Sequence, residues 1–518
     1  MKQAFIGIDI GSTGCKAIAV DGDGRTVAVA SQRYDNTIVY LGLGQYDQDP
    51  AILRDASLRC CRALLEELSA DYHVSALGLT GQMHGLVALD AELQPLRPIM
   101  SCVDFRNEAQ NDRIYAEVGG KTGLLDYTNN KMVPSCTGGK ILWMMEQEPE
   151  LFARTRVIVN PKDYVRTVLT GVPATDESDA SGFGLYDVKN RCWSRDLLTR
   201  IGIPEHVLPK VLRSYEVVGP VLPEIAAQTG LPADALVVAG AGDAIMQTCG
   251  SGTMEDGVYG VTLGSGGNLS TALDRCPRNE GALLQLYAGI CEDQWVAYAG
   301  LMSVGTSVNW FRKNYYAAES AAGNAGAFAV MEQEAASVPA GSDGLVFLPS
   351  LMGQRNPVDD PFAKGVAIGF APIHTRAHLY RALLEGLAMG MREVYKLLET
   401  VGKPMRELRI SGGGAASDVW CQIFSDVFQK PVYRMQEYSA AGAYGAALLA
   451  VNCGRDASGL KALMSHPPMD RVFEPNAAKK AVYDDLYAIF RQVYPAARPL
   501  FPLLKNFEET YVTANGGV

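Results

Sequence analysis

Two aspartates stand where the sequence offers them no obvious partner. Asp9 lies in Gly7-Ile8-Asp9-Ile10-Gly11 and Asp243 in Gly240-Ala241-Gly242-Asp243, each at the end of a short apolar run. Burying a carboxylate without a partner is costly, so such a residue pairs with a charge, holds a cation or handles a proton. The plainer role, capping a turn, is open to any Asp. Three glycine-rich turns accompany them: Gly11-Ser12-Thr13-Gly14, Gly264-Ser265-Gly266-Gly267 and Gly412-Gly413-Gly414. Turns of this kind let backbone N–H groups approach phosphate closely. None has Walker spacing or a complete GxGxxG fingerprint, so the P-loop and dinucleotide patterns are missing. Singly each turn reads as structural. Their weight lies in the combination with acidic strand ends.

The elements that must position these residues show one design twice. Residues 5–9 predict a buried strand, followed by the turn at 11–14, a second strand near 15–20 and a third near 26–30. Residues 257–263 predict another strand, which meets the turn at 264–267 and returns near 268–273. Glycine supplies the positive φ that such tight turns require. A chain of 518 residues exceeds what one hydrophobic core serves, so two domains of related build are expected. The boundary falls near 250–257, giving domains 1–252 and 253–518. Helical spacing marks 50–69, 377–400, 417–428 and 477–494, while 75–80, 236–239 and 408–410 predict strands. The mixture is α/β in both halves.

Composition removes several classes. A formal charge of −11 argues against a nucleic-acid or anionic-membrane surface. No run approaches the roughly 20 apolar residues of a membrane-spanning helix. The apolar start is interrupted by Asp9 and no small-residue cleavage site follows, so an immediate strand is expected rather than a secretion signal. Eleven cysteines show no CxxC spacing, which predicts reduced thiols in a cytoplasm and neither zinc nor a disulfide framework.

Against these motifs a resemblance becomes plain, to the FGGY family of carbohydrate kinases. Residues 7–16 resemble its first phosphate motif, and 263–267 the second. Asp243 falls at the position of the catalytic base. Residues 411–417, with Trp420 and 442–447, resemble the adenosine segment. Residues 135–147, with Lys140 and Trp143, fit one family signature throughout. Gly353-Gln354-Arg355-Asn356-Pro357 with Asp360-Pro361 resembles the interdomain segment. Across 365–385 the match is partial, since Ala367, Phe370 and Leu383 depart from the pattern. The resemblance implies two actin-like (ribonuclease H-like) domains with an ATP/sugar cleft between them. It implies ATP and Mg²⁺ as cofactors, with Asp9 and Asp243 holding the ion mainly through water. Gly11, Ser12, Thr13, Lys16, Gly264, Ser265 and Gly266 would meet the phosphates, and Gly412, Gly413, Gly414, Ala415 and Ser417 the nucleoside.

Within the family the pattern is most similar to xylulokinases. Gly81-Gln82-Met83-His84-Gly85 resembles their sugar-side segment, which implies substrate contacts from Gln82, Met83 and His84, joined by the Asp104 and Arg106 pair. Pro161-Lys162-Asp163-Tyr164 and residues 175–182 also resemble xylulokinase segments and read as mainly structural. Two departures alter the pocket: Cys102 stands where the family has Trp, and Ala244 where xylulokinases have Asn. A lost amide relaxes or redirects specificity, because hydrogen-bonded hydroxyls discriminate far better than apolar contacts. The expected reaction is phosphate transfer from ATP to D-xylulose. The alternatives are another ketose or polyol (ribulose, L-xylulose, ribitol), or a non-catalytic ATP-binding sensor of the same fold. A homodimer is what the resemblance suggests.

Overall fold

The computed structural model describes residues 1–321 and 323–512. The chain forms two compact units. Unit 1 contains Met1–Asp256, Ala272–Ala297 and Ala440–Pro467, and unit 2 contains Gly257–Thr271, Tyr298–Ser439 and the described chain from Pro468. Two segments therefore join unit 1 that a single boundary at 252/253 assigns to the second half.

The sheet of unit 1 explains one of them. Strand Lys2–Ile10 runs parallel to Tyr72–Gly81, which is parallel in turn to Leu236–Val238 and to the short Ala241–Gly242. On its other side Lys2–Ile10 forms a hairpin with Gly14–Asp21, which pairs with Thr26–Arg33. Side chains alternate between sheet faces. Ala4, Ile6, Ile8 and Ile10 enter a buried core with Leu53, Ala56 and Leu64 of helix Pro50–Glu67. The opposite face carries Phe5, Gly7 and Asp9. Gly7 lies in register with Gly78, and helix Ala441–Val451 packs directly on this pair. A Cβ on Gly7 would sit 1.9 Å from the Ala443 carbonyl oxygen, and one on Gly78 would sit 2.2 Å from that of Ala446. Adjacent glycines, matched by the small residues of the helix, give a groove that a distant segment fills. This brings the 440–467 segment into unit 1.

Unit 2 repeats the plan. Val258–Leu263 and Gly267–Leu273 form the hairpin, and Val258–Leu263 runs parallel to Glu407–Ser411, itself parallel to Val432–Met435. Met469–Phe473 closes one edge antiparallel. Helices Arg376–Leu398 and Asp418–Phe428 pack together in this unit. The α/β architecture with two sheet-bearing units agrees with the sequence expectation. No described helix is long and apolar enough to cross a membrane.

Candidate active site

In unit 1 the candidate residues leave the C-terminal ends of neighbouring parallel strands, where α/β sheets bind ligands. Asp9 is in register with Thr80, and Gly242 with Gly81. Asp9, Gln82 and Asp243 are thereby set side by side. Asp243 opens helix Asp243–Gly250, and its Oδ1 accepts the Ala244 N–H at 2.7 Å. Asp243 has no ion-pair partner among the described residues, and it remains partly accessible. Burial raises the Asp9 carboxyl to about 6, with Lys16, its cross-strand neighbour, pulling the other way. Burial, and then the negative charge of Asp9, raise Asp243 to about 7. The fold makes room for this pair: a Cβ on Gly442 would lie 2.8 Å from Asp9 Oδ2. Two adjacent, partly accessible carboxylates that repel one another are a donor set suited to a hard divalent cation.

The wall beside Asp243 is made by residues 82–84. Met83 packs on Gly242, whose Cβ, if present, would meet the Met83 sulfur at 2.6 Å. His84 adopts a left-handed backbone, φ 67°, and its Nδ1 lies 2.8 Å from the Gly182 carbonyl. A carbonyl only accepts, so Nδ1 carries a proton, and in the neutral ring Nε2 is then the acceptor. Nε2 faces the Tyr287 hydroxyl at 3.4 Å. Gln82 donates to Gln48 Oε1 at 3.0 Å, and Gln48 donates in turn to the Ser12 carbonyl at 3.3 Å. This chain of amides links the wall to the first glycine turn. Cys102 Sγ lies 3.8 Å from Gln82 Oε1. Burial raises the Cys102 thiol, Lys140 opposes this, and Asp243 adds to it, which places all three in one neighbourhood.

Asp104 and Arg106 are turned inward. Asp104 is fully buried; its Oδ2 accepts Tyr46 N–H at 2.6 Å and Arg106 Nε–H at 2.8 Å, and its Oδ1 accepts Arg106 N–H at 3.1 Å. Arg106 also pairs with Asp47 and stacks its guanidinium 5.0 Å from the Trp143 ring. The pair thus clamps the site's outer wall. Lys140 donates to the carbonyls of His84 at 3.0 Å and Ser101 at 2.7 Å, and burial lowers it to about 8. The sequence marks Lys140 by motif without a role and offers no signal at all for Asp47 or Gln48.

The first glycine turn is braced from behind. Gly11 N–H donates to the Gly14 carbonyl at 2.9 Å, and the Tyr34 hydroxyl donates to the Gly11 carbonyl at 2.5 Å. Ser12 stays partly accessible, while Thr13 and Lys16 are exposed.

In unit 2 the second turn and the 412–417 segment leave adjacent parallel strands, with Thr262 opposite Ser411. Gly264 and Ser265 are exposed; the Ser265 carbonyl accepts Val304 N–H at 2.9 Å, and the Gly264 carbonyl accepts Gly305 N–H at 2.8 Å. Gly412, at φ 84°, presses against Leu263: a Cβ there would be 2.7 Å from the Leu263 carbonyl oxygen. Gly264, Ser265, Gly266 and Gly412, Gly413, Gly414 therefore gather at one end of this sheet. Ala415 is buried, and Ser417 caps the next helix, accepting Trp420 N–H at 3.0 Å and donating to Glu332 at 2.6 Å. Glu332, which also accepts the Val419 N–H, was not legible in the sequence.

Comparison with known proteins follows this geometry. Residues 4–250 match the model of the N-terminal domain, and 261–452 that of the C-terminal domain, of the FGGY family of carbohydrate kinases. The chain is 30% identical over 508 residues to a xylulose kinase of Bacillus subtilis, covering 97% of this chain and 99% of the relative. It is 27% identical over 445 residues to a gluconokinase of the same organism, covering 85% and 86%. The crystal structure of a xylulose kinase from Rhodospirillum rubrum superposes with a TM-score of 0.85 at 30% identity, covering 96% of this chain and 99% of that one.

Proposed function

Because the chain belongs to the FGGY family of carbohydrate kinases, which move phosphate from ATP to a sugar alcohol group, we propose that its acceptor is a ketose, D-xylulose first, phosphorylated at its terminal hydroxyl to D-xylulose 5-phosphate. The observation that carries this reading is Asp243: a partly accessible carboxylate that follows Gly242, on which Met83 packs, without a cationic partner among the described residues and with its pKa raised to about 7. That value suits a general base at neutral pH, where about half of it is ionised and that form is basic enough to take a proton.

Asp243 accepts the proton of the attacking hydroxyl as its oxygen bonds to the γ-phosphorus and the bond to the β–γ bridging oxygen breaks. His84 Nε2 accepts a hydrogen bond from the sugar, Met83 covers its apolar edge and Gln82 offers its amide. Asp104 and Arg106 shape this wall from behind. Backbone N–H groups of the two glycine turns, with the hydroxyls of Ser12, Thr13 and Ser265, donate to phosphate oxygens, and Lys16 offsets their charge. Residues 412–415 and Ser417 serve the adenosine. Asp9 and Asp243 would hold Mg²⁺ mainly through water, and the ion when bound neutralises charge on the phosphate oxygens.

Relatives named xylulose kinase support the acceptor, while the gluconokinase relative marks acceptor choice as a point on which family members differ. Ala244 lies next to the base and Cys102 close to it, so a second acceptor class, another ketose or a polyol, is the competing reading. The test is a coupled ADP-release assay with D-xylulose, D-ribulose, L-xylulose, ribitol and gluconate. D-xylulose is expected to give the highest kcat/KM. A higher value for any other acceptor overturns the assignment.

A further inference from the structure

A buried cluster of five ionisable side chains lies behind the site and takes no part in the steps above. Lys162 donates to Asp163 Oδ1 at 2.6 Å, to Asp176 Oδ2 at 2.7 Å and to the Ala239 carbonyl at 3.3 Å, and lies 3.2 Å from Asp179. Arg166 pairs with Asp163 at 2.9 Å and donates to the carbonyls of Ala239 and Ala174. All five side chains are fully buried. Replacing such a cluster with packed apolar residues commonly leaves stability unchanged or improves it, so its presence asks for a further explanation.

The hydrogen bonds leaving the cluster supply one. Asp176, bonded to Lys162, accepts the Ser178 hydroxyl at 2.5 Å and caps the short helix Glu177–Gly182. The lone pairs of Ser178 Oγ are thereby directed outward, and they receive the Gly242 N–H at 2.9 Å. Gly242 is the residue before Asp243. The opposite end of the same helix presents the Gly182 carbonyl to His84 Nδ1. One short helix thus spans from the residue before the base to the sugar-side imidazole. Meanwhile Lys162 and Arg166 grip Ala239, at the start of the segment that leads to Gly242.

We propose that Ser178 is a positioning residue for phosphoryl transfer: anchored through Asp176 to Lys162, it fixes the backbone of Asp243 at a set distance from His84. The proposal rests on the assignment of Asp243 as base. Misplacing a catalytic group by about 1 Å costs up to about 10²-fold in rate.

Ser178→Ala removes one hydroxyl from a helix that alanine suits. It is expected to lower kcat about 10- to 100-fold, to leave the KM for ATP and for D-xylulose within about twofold, and to speed hydrogen exchange at the Gly242 amide. Ser181→Ala is the control. Its hydroxyl, on the same helix, bonds the Glu177 carbonyl and the Ala288 N–H, at 2.7 and 3.1 Å, and its loss should leave kcat within about twofold. Unchanged kcat in Ser178→Ala, or equal losses in both variants, would overturn the positioning role. An active Asp243→Asn enzyme would instead overturn the base assignment, whereas an inert Asp243→Asn beside a fully active Ser178→Ala removes only the inference about Ser178.

Discussion

Replacing Asp243 by Asn should destroy turnover and, at the same time, make the ligand-free protein more stable above neutral pH. The Asp243 carboxyl is raised from 3.8 to about 7, first by burial and then by the charge of Asp9. About three units at 1.36 kcal/mol each bound the electrostatic cost of its charged form at roughly 4 kcal/mol. Solvent relaxation at a partly accessible site brings the usable figure to about 1–3 kcal/mol. Because the folded pKa lies above the unfolded one, the folded protein binds this proton more tightly. The associated stability is full below about pH 3.8 and is lost as pH rises through about 7. At pH 8 wild type bears the charge and the amide does not. For a unit of about 310 residues, each kcal/mol moves Tm by about 2 °C, so the variant should melt a few degrees higher at pH 8. The gap should shrink at pH 5 and narrow again at pH 8 in excess Mg²⁺, which gives the wild-type carboxylates a counter-ion. Scanning fluorimetry across pH reads the first effect. Coupled ADP release reads the second, an expected fall of about 10²–10⁴-fold in kcat. A variant that melts no higher than wild type at pH 8, or that turns over at near-normal rates, refutes this account of the site.

Two further substitutions separate the two sides of the reaction. His84→Ala removes the acceptor held by Gly182 and should reduce kcat/KM for the sugar about 10²-fold, with the KM for ATP unchanged, as steady-state kinetics in both substrates will read. Gly412→Ala places a Cβ 2.7 Å from the Leu263 carbonyl oxygen, in a backbone region only glycine occupies comfortably; an increase of about tenfold in the KM for ATP is expected, with the sugar KM unaffected.

What the sequence made legible was local. The hairpins Lys2–Ile10/Gly14–Asp21 and Val258–Leu263/Gly267–Leu273 announce themselves through apolar strands punctuated by glycine, and both formed as expected. The glycine turns and acidic strand ends follow from the same signal. Long-range choices were hidden. Nothing near residue 445 says that its helix will cover strand Lys2–Ile10; only Gly7 beside Gly78 does, and that pairing exists only once the sheet has formed. Asp104 and Arg106 illustrate the same limit in the site. Their spacing matches a sugar-side pair, and nothing in it announces that Asp104 also accepts the Tyr46 N–H or that Arg106 also pairs with Asp47. Gln48, Asp47 and Glu332 act through partners distant in sequence and carry no pattern of their own.

Two groups of carboxylates in unit 1, one fully buried and one partly accessible, show where the fold supplies cations and where it does not. Asp163 is desolvated, yet Lys162 and Arg166 hold its carboxyl below its usual range, and Thr175 completes its hydrogen bonding at 2.6 Å. The chain can evidently deliver a buried lysine to an aspartate when the structure requires one. It delivers none to Asp243: the Ala244 N–H is the donor it receives, and Asp9 adds repulsion. A lysine bonded to Asp243 would relieve that repulsion, hold the carboxylate as a weak base and occupy the space a substrate hydroxyl needs. Natural sequences break local rules chiefly at functional sites. The uncompensated pair is therefore best understood as charge kept in reserve, to be balanced by what binds there, while the bonds of Lys162 to Asp163 and Asp176 behind it keep the geometry from relaxing.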